Sequence, residues 1–220
     1  MLKSSLVLMC FGATFLSAQE KIADHRLEAS AEVVRDMMQM PDKGIPKDLI
    51  DKAKCVVVIP GVKKGAFVVG GEYGKGFASC RTSPGGPWGP PAAVALEGGS
   101  FGLQIGGSST DVIMLVMNDR GLQHLLKDKF SLGGEAEVAA GPVGRDATAD
   151  TDISLHAEIL TWARSRGAFA GLSLKGASLH ADADENEKLY GRRLSSREIL
   201  QGDVRTPTVA RVLVSALNRS

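Results

Sequence analysis

The sequence has almost no excess of charge and few aromatic side chains, and both shortages limit what the protein can bind. Its 26 basic and 25 acidic residues nearly balance, and aromatic residues make up 5% of the chain. No basic tract carries interleaved aromatic residues, as a nucleic-acid surface requires, so we expect no nucleic-acid partner. There is also no internal repeat and no low-complexity linker. Bulk charge and composition therefore name no partner.

The motifs of common catalytic sites are missing as well. There is no G-x-S-x-G elbow and no H-E-x-x-H pair. Asp152, Ser154 and His156 have the composition of a triad, but along one strand neighbours would lie about 6 to 7 Å apart, too far for a serine and its base. A second group could bind a divalent metal and consists of His156, His180, Glu158 and Asp182. A polar, solvent-facing cross-strand pair explains the proximity of these residues more simply. We therefore predict no enzyme activity, no metal and no cofactor.

No apolar run is long enough to span a membrane, but the first residues are typical of a leader. Lys3 precedes an apolar run at residues 6–16, and Ala18 precedes the first polar residues. This pattern predicts a signal peptide cleaved after Ala18, with lipidation at Cys10 as the alternative. Lys3 leaves with the leader, so 25 basic residues then face 25 acidic ones. We expect an exported protein, periplasmic or secreted and peripheral to a membrane.

Two cysteines remain after the leader, Cys55 and Cys80. The stretch GGEYGKG at residues 70–76 lies between β-prone segments, so we predict a hairpin turn at Gly74-Lys75 rather than a phosphate loop, which would open a helix. With a second turn at residues 62–64, CVVVIP, AFVVGG and FASCR form a three-stranded meander. The cysteines then flank one central strand about 9 to 10 Å apart, and we expect two free, buried thiols.

The remaining patterns predict the fold class. Apolar residues at three-to-four spacing indicate an amphipathic helix over residues 20–40, packed on its own domain or, through its Met-rich end, on a membrane or adaptable partner. IPKDLIDKA indicates a second helix. The predicted strands that follow are AAVALEG, SFGLQIG and TDVIMLVMN, the last without alternation and therefore covered on both faces. Next come a short helix at DRGLQHLLKDK, a strand in GGEAEVAAGPVGR, two longer strands around a turn near residues 165–167, and a helical tail.

Strands in consecutive runs indicate the α+β class. We predict a mostly antiparallel, strongly curved sheet or barrel-like sandwich, with N-terminal, middle and C-terminal helices packed on it. Charge is uneven along this fold, because residues 41–81 hold eight basic residues against four acidic ones. Solvated turns and helix faces explain this excess, and a local positive patch is the functional alternative.

Several blocks of sequence recur together in one known family. GGxxGxG, WGPPAA, FGLQIG, TDVIMLVMN, AAGPVGR, RGAFAGLSLKGA and YGRR stand here in an order and spacing that resembles the SYLF domain family, over roughly residues 46–217. The resemblance implies a module without catalytic residues that binds phosphoinositides and other phospholipids, and that in fungi also bundles actin. It also implies α+β architecture with a curved sheet. A leader would carry this chain away from cytosolic actin.

We therefore predict a signal peptide at residues 1–18, an amphipathic helix and linker at 19–45, and a SYLF-like lipid-binding domain at 46–220. The expected function is that of a non-catalytic phospholipid-binding protein of the cell envelope or secreted space, associated with anionic headgroups. The alternative is an envelope structural or interaction protein that binds a protein partner. The predicted lipid-binding residues are Lys47, Lys54, Lys63, Lys64 and Lys75, of which Lys63 and Lys64 stand at a predicted turn.

Overall fold

The computed structural model describes residues 8–39, 44–64, 71–99, 110–143, 157–165 and 168–219, with side chains described from residue 23 onward in the first helix. The helices are α1 (Leu8–Gln39), α2 (Lys47–Lys52), α3 (Asp119–Leu125), α4 (Ala183–Tyr190), α5 (Ser196–Gln201) and α6 (Arg211–Leu217). The strands are β1 (Cys55–Lys64), β2 (Gly71–Cys80), β3 (Ala92–Gly99), β4 (Thr110–Val116), β5 (Lys129–Ser131), β6 (Val138–Ala140), β7 (Ile159–Ser165), β8 (Ala168–Gly171) and β9 (Ser178–Ala181).

The strands form one sheet in the order β5-β9-β3-β2-β1-β4-β7-β6, and β8 also pairs with β7. Each pairing is antiparallel except the one between β6 and β7. In a flat sheet β5 and β6 would lie about 33 Å apart. The chain between Ser131 and Val138 can span at most about 25 Å. The sheet therefore curls strongly, which confirms the predicted α+β fold with a strongly curved sheet.

Each face of the curled sheet has its own hydrophobic core. The inner core receives Val57, Met114 and Phe130, together with residues of α5. The outer core receives Val56 and Ile113 and is covered by α1, α2 and α6. Alternate residues of β1 and β4 thus enter opposite cores, which confirms that the uniformly apolar strand TDVIMLVM is covered on both faces.

The first helix packs against its own sheet. Leu27, Ala31 and Val34 follow the predicted three-to-four spacing and are 0% exposed. In the last turn the helix buries Met37, at 1% exposed, whereas the predicted Met38 is only half-buried. The opposite face of the helix carries exposed Glu28, Glu32 and Arg35. No helix in the described part of the chain is long and apolar enough to cross a membrane.

The predicted three-stranded meander is wrong. Gly74 and Lys75 lie inside β2, paired with Leu96 and Ala95 of β3, and form no turn. The pairing of β1 with β2 shifts register between Val58 and Lys63, and Gly61 within this bulge has φ +61°. A side chain at either of two glycines of β2 would collide with the bulge. A Cβ on Gly74 would lie 2.7 Å from Ile59 Cγ2, and one on Gly76 would lie 2.0 Å from the Val58 carbonyl oxygen. These glycines allow close strand packing rather than a turn.

The prediction of two free thiols is also wrong. Because β1 and β2 are direct neighbours, Cys55 pairs with Cys80 in register. The two sulfurs form a disulfide with an S–S distance of 2.04 Å. The register count failed because it inserted a third strand between the two cysteines.

The later strand predictions have mixed outcomes. AAVALEG forms most of β3, whereas SFGLQIG lies outside the described residues. The segment after the turn near residues 165–167 is divided into the short strands β8 and β9. Of the described residues of the segment GGEAEVAAGPVGR, which end at residue 143, only Val138–Ala140 form a strand. The last helix begins at Arg211, a few residues after the predicted Thr206-Pro207 start.

Candidate functional site

The structure separates the five predicted lysines into two regions. Lys47 begins α2, and Lys54 lies between α2 and β1. Lys63 and Lys64 end β1. Lys75 lies in β2, near the end of the β1–β2 pair at which Lys63 and Lys64 stand. Lys54 and Lys63 stand at opposite ends of one extended strand, about 25 to 30 Å apart. No single contact surface of headgroup size brings all five together.

Three of these lysines already have acidic partners. Lys54 Nζ lies 2.8 Å from Asp119 Oδ1, and Lys75 Nζ lies 2.6 Å from Asp182 Oδ2. Lys47 Nζ is 3.9 Å from Asp51 Oδ1, but both side chains are largely exposed, so this pair contributes little. Lys63 is exposed. The side chain of Lys64 is outside the described set.

Lys47 belongs to a more strongly positive feature, which we call the cationic groove. This groove encloses about 750 Å³ between the C-terminal half of α1, α2 and α6. Its rim is formed by Arg35, Lys47, Arg211 and Arg219. Its floor is formed by Met37, Met38, Ile45, Ile50, Val212 and Ala216. Among the described residues that line the groove, none is acidic.

Helical periodicity places these groups. Arg211 and Ser215 of α6 and Arg219 just after it recur every four residues and line the groove. Val212 and Ala216 recur at the same interval one position later and form part of its floor. Leu213 and Leu217 of the same helix are buried in the outer core. The helix thus presents a charged rim, an apolar floor and a buried anchor on successive faces.

The end of α6 is fixed by a reciprocal hydrogen-bonded contact. The Trp88 backbone N–H donates to Asn218 Oδ1 at 2.8 Å, and Asn218 Nδ2 donates to the Trp88 carbonyl oxygen at 3.1 Å. The Arg81 guanidinium carbon lies 4.2 Å from the Trp88 ring centroid. These contacts hold the residue next to Arg219, so this end of the groove has a defined position.

The rim charges have few counter-ions. Arg35, Arg211 and Arg219 are exposed and make no ion pair with another residue in the described ranges. Like charges gathered on one rim repel one another, and a bound anion would relieve that repulsion. Arginine guanidinium groups bind carboxylate and phosphate with two parallel hydrogen bonds. The groove is therefore suited to an anionic group that stands beside an apolar one.

The sequence interpretation missed the three arginines of this rim. Arg35 and Arg211 come from opposite ends of the chain, and no local window contains both. The spacing within VARVLVSALNRS is the one signal that could have indicated a basic face beside an apolar one.

The other candidate clusters are dispersed or undescribed. Asp152, Ser154 and His156 lie outside the described residues. Glu158 Oε2 is 3.6 Å from His124 Nε2, whereas Asp182 pairs with Lys75. Within the described ranges, no three histidine, cysteine or acidic side chains are placed to hold one metal ion.

Comparison with protein families matches residues 97–220 to the Ysc84 family, described as "Las17-binding protein actin regulator". SH3 domain-containing YSC84-like protein 1 of Rattus norvegicus is 34% identical over 195 residues, which cover 86% of this chain and 57% of that protein. The Xenopus laevis protein of that name is 36% identical over 180 residues, or 81% and 53% of the two chains. Protein YSC84 of Saccharomyces cerevisiae is 31% identical over 179 residues, or 80% and 38%. The chain spans about half the length of these vertebrate relatives.

Among solved structures, a β-barrel-like uncharacterised protein from Brucella abortus matches with a TM-score of 0.31 and 19% identity. The match covers 59% of this chain and 73% of that one. The architecture of the sheet is established here by its own strand pairings.

Proposed function

The chain belongs to the Ysc84 family, the family of the SYLF domain, and we propose that it is a non-catalytic phospholipid-binding protein that associates with anionic headgroups. The observation that carries this proposal is the cationic groove. Its described lining gathers four cations and no acidic residue beside an apolar floor, in a chain whose total charge is near zero. A cation near an anionic membrane surface contributes about 1 kcal/mol of binding free energy, so four of them suffice for peripheral attachment.

We place this protein in the cell envelope or secreted space, because its first residues are typical of a cleaved leader. Cleavage after Ala18 would shorten α1 to residues 19–39. The described buried residues of this helix begin at Leu27, so its packing on the sheet would be kept. The intact mass of exported protein should correspond to a chain that starts at Gln19. A retained leader would contradict this placement.

Vesicle sedimentation tests the lipid proposal. Replacing Arg211 and Arg219 together by glutamine should weaken binding to anionic vesicles about thirtyfold, which is the loss of two contacts of about 1 kcal/mol each. The difference should shrink as salt is raised. The matched control replaces Arg192 and Arg193 by glutamine, since both are exposed and lie outside the groove. Equal losses in the two variants would show attraction by net charge alone and would overturn the assignment to the groove.

A protein-binding role is the second candidate. It is favoured by the description of the family, which names a protein, Las17, as the binding partner of its members. Native mass spectrometry of the purified protein separates the two candidates. A phospholipid-binding protein should carry phospholipid from its source, whereas an interaction protein should be free of lipid and accompanied by a protein partner.

A further inference from the structure

We propose that the cationic groove binds one anionic single-chain amphiphile as a monomer, namely a fatty acid or a lysophospholipid. The proposal rests on the proposed function, since it concerns the same groove, and it specifies the class of lipid. The shared chemistry is a carboxylate or phosphate headgroup on one alkyl chain. The headgroup lies on the rim and the chain lies along the floor.

The floor of the groove is part of the hydrophobic core. Met37, Ile45 and Ile50 are at most 3% exposed, and all three belong to the outer core that packs on the sheet. Met38 and Val212 are half-buried and border the same cluster. An alkyl chain on this floor would contact chiefly the half-buried Met38 and Val212, which the buried side chains beneath them hold in place, so binding would order little of the protein.

Methionine at two consecutive positions suits an alkyl chain that can adopt several shapes. Met37 and Met38 differ by about 100° around α1, so Met37 is buried in the core beneath the floor and Met38 stays half-buried at the surface of the floor. The unbranched thioether side chain adjusts to irregular apolar surfaces more readily than a branched one. This part of the floor can therefore adapt its shape to a flexible alkyl chain.

The size of the groove favours one chain over two. Its volume of about 750 Å³ lies within the range of sites for single small molecules. A phospholipid with two acyl chains is larger than such a ligand, and it would leave one chain in water unless a bilayer received it. A single-chain amphiphile can place its whole apolar part on the floor.

The rim supplies the headgroup contacts from facing walls. Arg35 stands on α1, and Arg211 and Arg219 stand on or just after α6, so an anion between them meets guanidinium groups from both sides. Lys47 adds a point charge from the α2 end. A neutral headgroup gains none of these contacts, and a cationic one is repelled.

Isothermal titration with fatty-acid monomers tests the proposal. Octanoate, decanoate, dodecanoate and tetradecanoate are titrated below their micelle concentrations, and a lysophosphatidate of matched chain length tests the phosphate headgroup. We expect one site per protein, with affinity rising by up to about fourfold per added methylene and levelling off once the floor is covered. Octyl glucoside, which is neutral, should bind at least tenfold more weakly than octanoate.

Two groove variants and one control make the assignment specific. Arg211→Gln with Arg219→Gln should weaken dodecanoate binding at least tenfold and raise the unfolding temperature of the ligand-free protein, because rim repulsion is removed. Met38→Asn should also weaken binding and flatten the dependence on chain length. Its side chain is only half-buried, so the fold should tolerate the change. Arg192→Gln with Arg193→Gln should bind like the wild type.

The failures of the two proposals are distinguishable. Binding to anionic vesicles without binding of any monomer would overturn the single-chain assignment and leave the proposed function standing. An absence of binding to both monomers and vesicles would overturn both. Monomer binding that survives in both groove variants would place the amphiphile elsewhere and overturn the site.

Discussion

At the scale of single residues, two positions of β2 require glycine because the neighbouring strand leaves no space for a side chain. The bulge in β1 brings the Val58 carbonyl oxygen and the Ile59 side chain against Gly76 and Gly74. The two positions differ in what a methyl group would meet. At Gly76 it meets backbone, which cannot move away, whereas at Gly74 it meets methyl groups of side chains that can rotate.

We therefore expect Gly76→Ala to lower the free energy of unfolding more than Gly74→Ala. Overpacking of this kind costs about 1 to 3 kcal/mol, with Gly76 at or above the upper end and Gly74 nearer the lower. Gly85 is the control, because its φ is +68° and nothing lies within 4 Å of a Cβ there. Alanine at Gly85 should cost about 1 kcal/mol from backbone strain alone. Urea denaturation measures all three, and a greater loss at Gly74 than at Gly76 would contradict the position of the bulge.

The disulfide between Cys55 and Cys80 gives a second prediction at this scale. Protein exported through its own leader should resist alkylation in denaturant without reductant and have a mass about 2 Da below that of the dithiol. Replacing both cysteines by alanine should lower the free energy of unfolding by about 3 kcal/mol, given a sequence separation of 25 residues. Two alkylated cysteines in the exported protein would show that this disulfide does not form.

At the scale of elements, two ion pairs fasten the first helix to the rest of the fold. Arg164 on β7 pairs with Asp36 on α1 and, at 2.9 Å, with Asp111 on β4. Asp111 Oδ1 also accepts a hydrogen bond from the Gly61 N–H at 2.9 Å. Burial raises the pKa of Asp111, against the opposing effects of the Gly61 N–H and Arg164. Ten residues earlier in α1, Arg26 pairs with Glu185 on α4 at 3.2 Å.

Arg164→Gln should loosen α1 in a manner that depends on pH. The substitution leaves Asp36 and Asp111 facing each other without a cation, at a cost of about 2 to 3 kcal/mol, less than for a fully buried pair because these groups are partly exposed. A carboxyl group whose folded pKa is raised destabilises the ionised folded state, and this cost disappears as pH falls through that pKa. The loss in the free energy of unfolding should therefore be larger at neutral than at mildly acidic pH.

Urea denaturation at the two pH values, with hydrogen exchange along α1, measures this effect. Arg26→Gln is the matched control, because Arg26 pairs with one acid rather than two. Arg26→Gln should lower the free energy of unfolding by less than Arg164→Gln does, and less of that loss should disappear at mildly acidic pH. An Arg164→Gln loss that is the same at both pH values would contradict the role assigned to Asp111.

At the scale of the whole molecule, the charges of a neutral chain are separated in space. The cationic groove lies between α1, α2 and α6. A second groove contains the start of the described part of α1 and is bordered by Asp24, Asp184 and Glu187, against a single lysine, Lys188. A membrane with anionic headgroups should attract the first groove and repel the second. The protein can thus be oriented at a surface although its net charge is near zero.

This orientation predicts a small contribution from the lysines at the far end of β1. Lys63→Ala with Lys64→Ala should weaken binding to anionic vesicles less than threefold, because neither lysine is among the described residues that line the groove. The comparison is with Arg211→Gln and Arg219→Gln under the same conditions. A loss of about thirtyfold in the lysine variant, with none in the arginine variant, would instead place the lipid at the lysine end, as the sequence alone predicted.

Local patterns in the sequence were sufficient for several elements. Helical spacing predicted α1, and the uniformly apolar TDVIMLVMN predicted a strand buried on both faces, because both signals are carried by adjacent residues. The ordered blocks from GGxxGxG to YGRR predicted the family, which the match over residues 97–220 confirms. The consecutive strands predicted a mostly antiparallel α+β fold, and the family resemblance implied the curvature of its sheet.

Only the tertiary structure decided the pairing of β1 with β2 and the location of the groove. Glycine serves both turns and close strand contacts, so GGEYGKG is ambiguous until the bulge at Gly61 is known. That one ambiguity shifted the register and hid the disulfide between Cys55 and Cys80. The rim of the groove joins Arg35, Lys47 and Arg211 from three helices that are distant in sequence. Their proximity follows from the packing of α1, α2 and α6 on one face of the sheet, which no local pattern records.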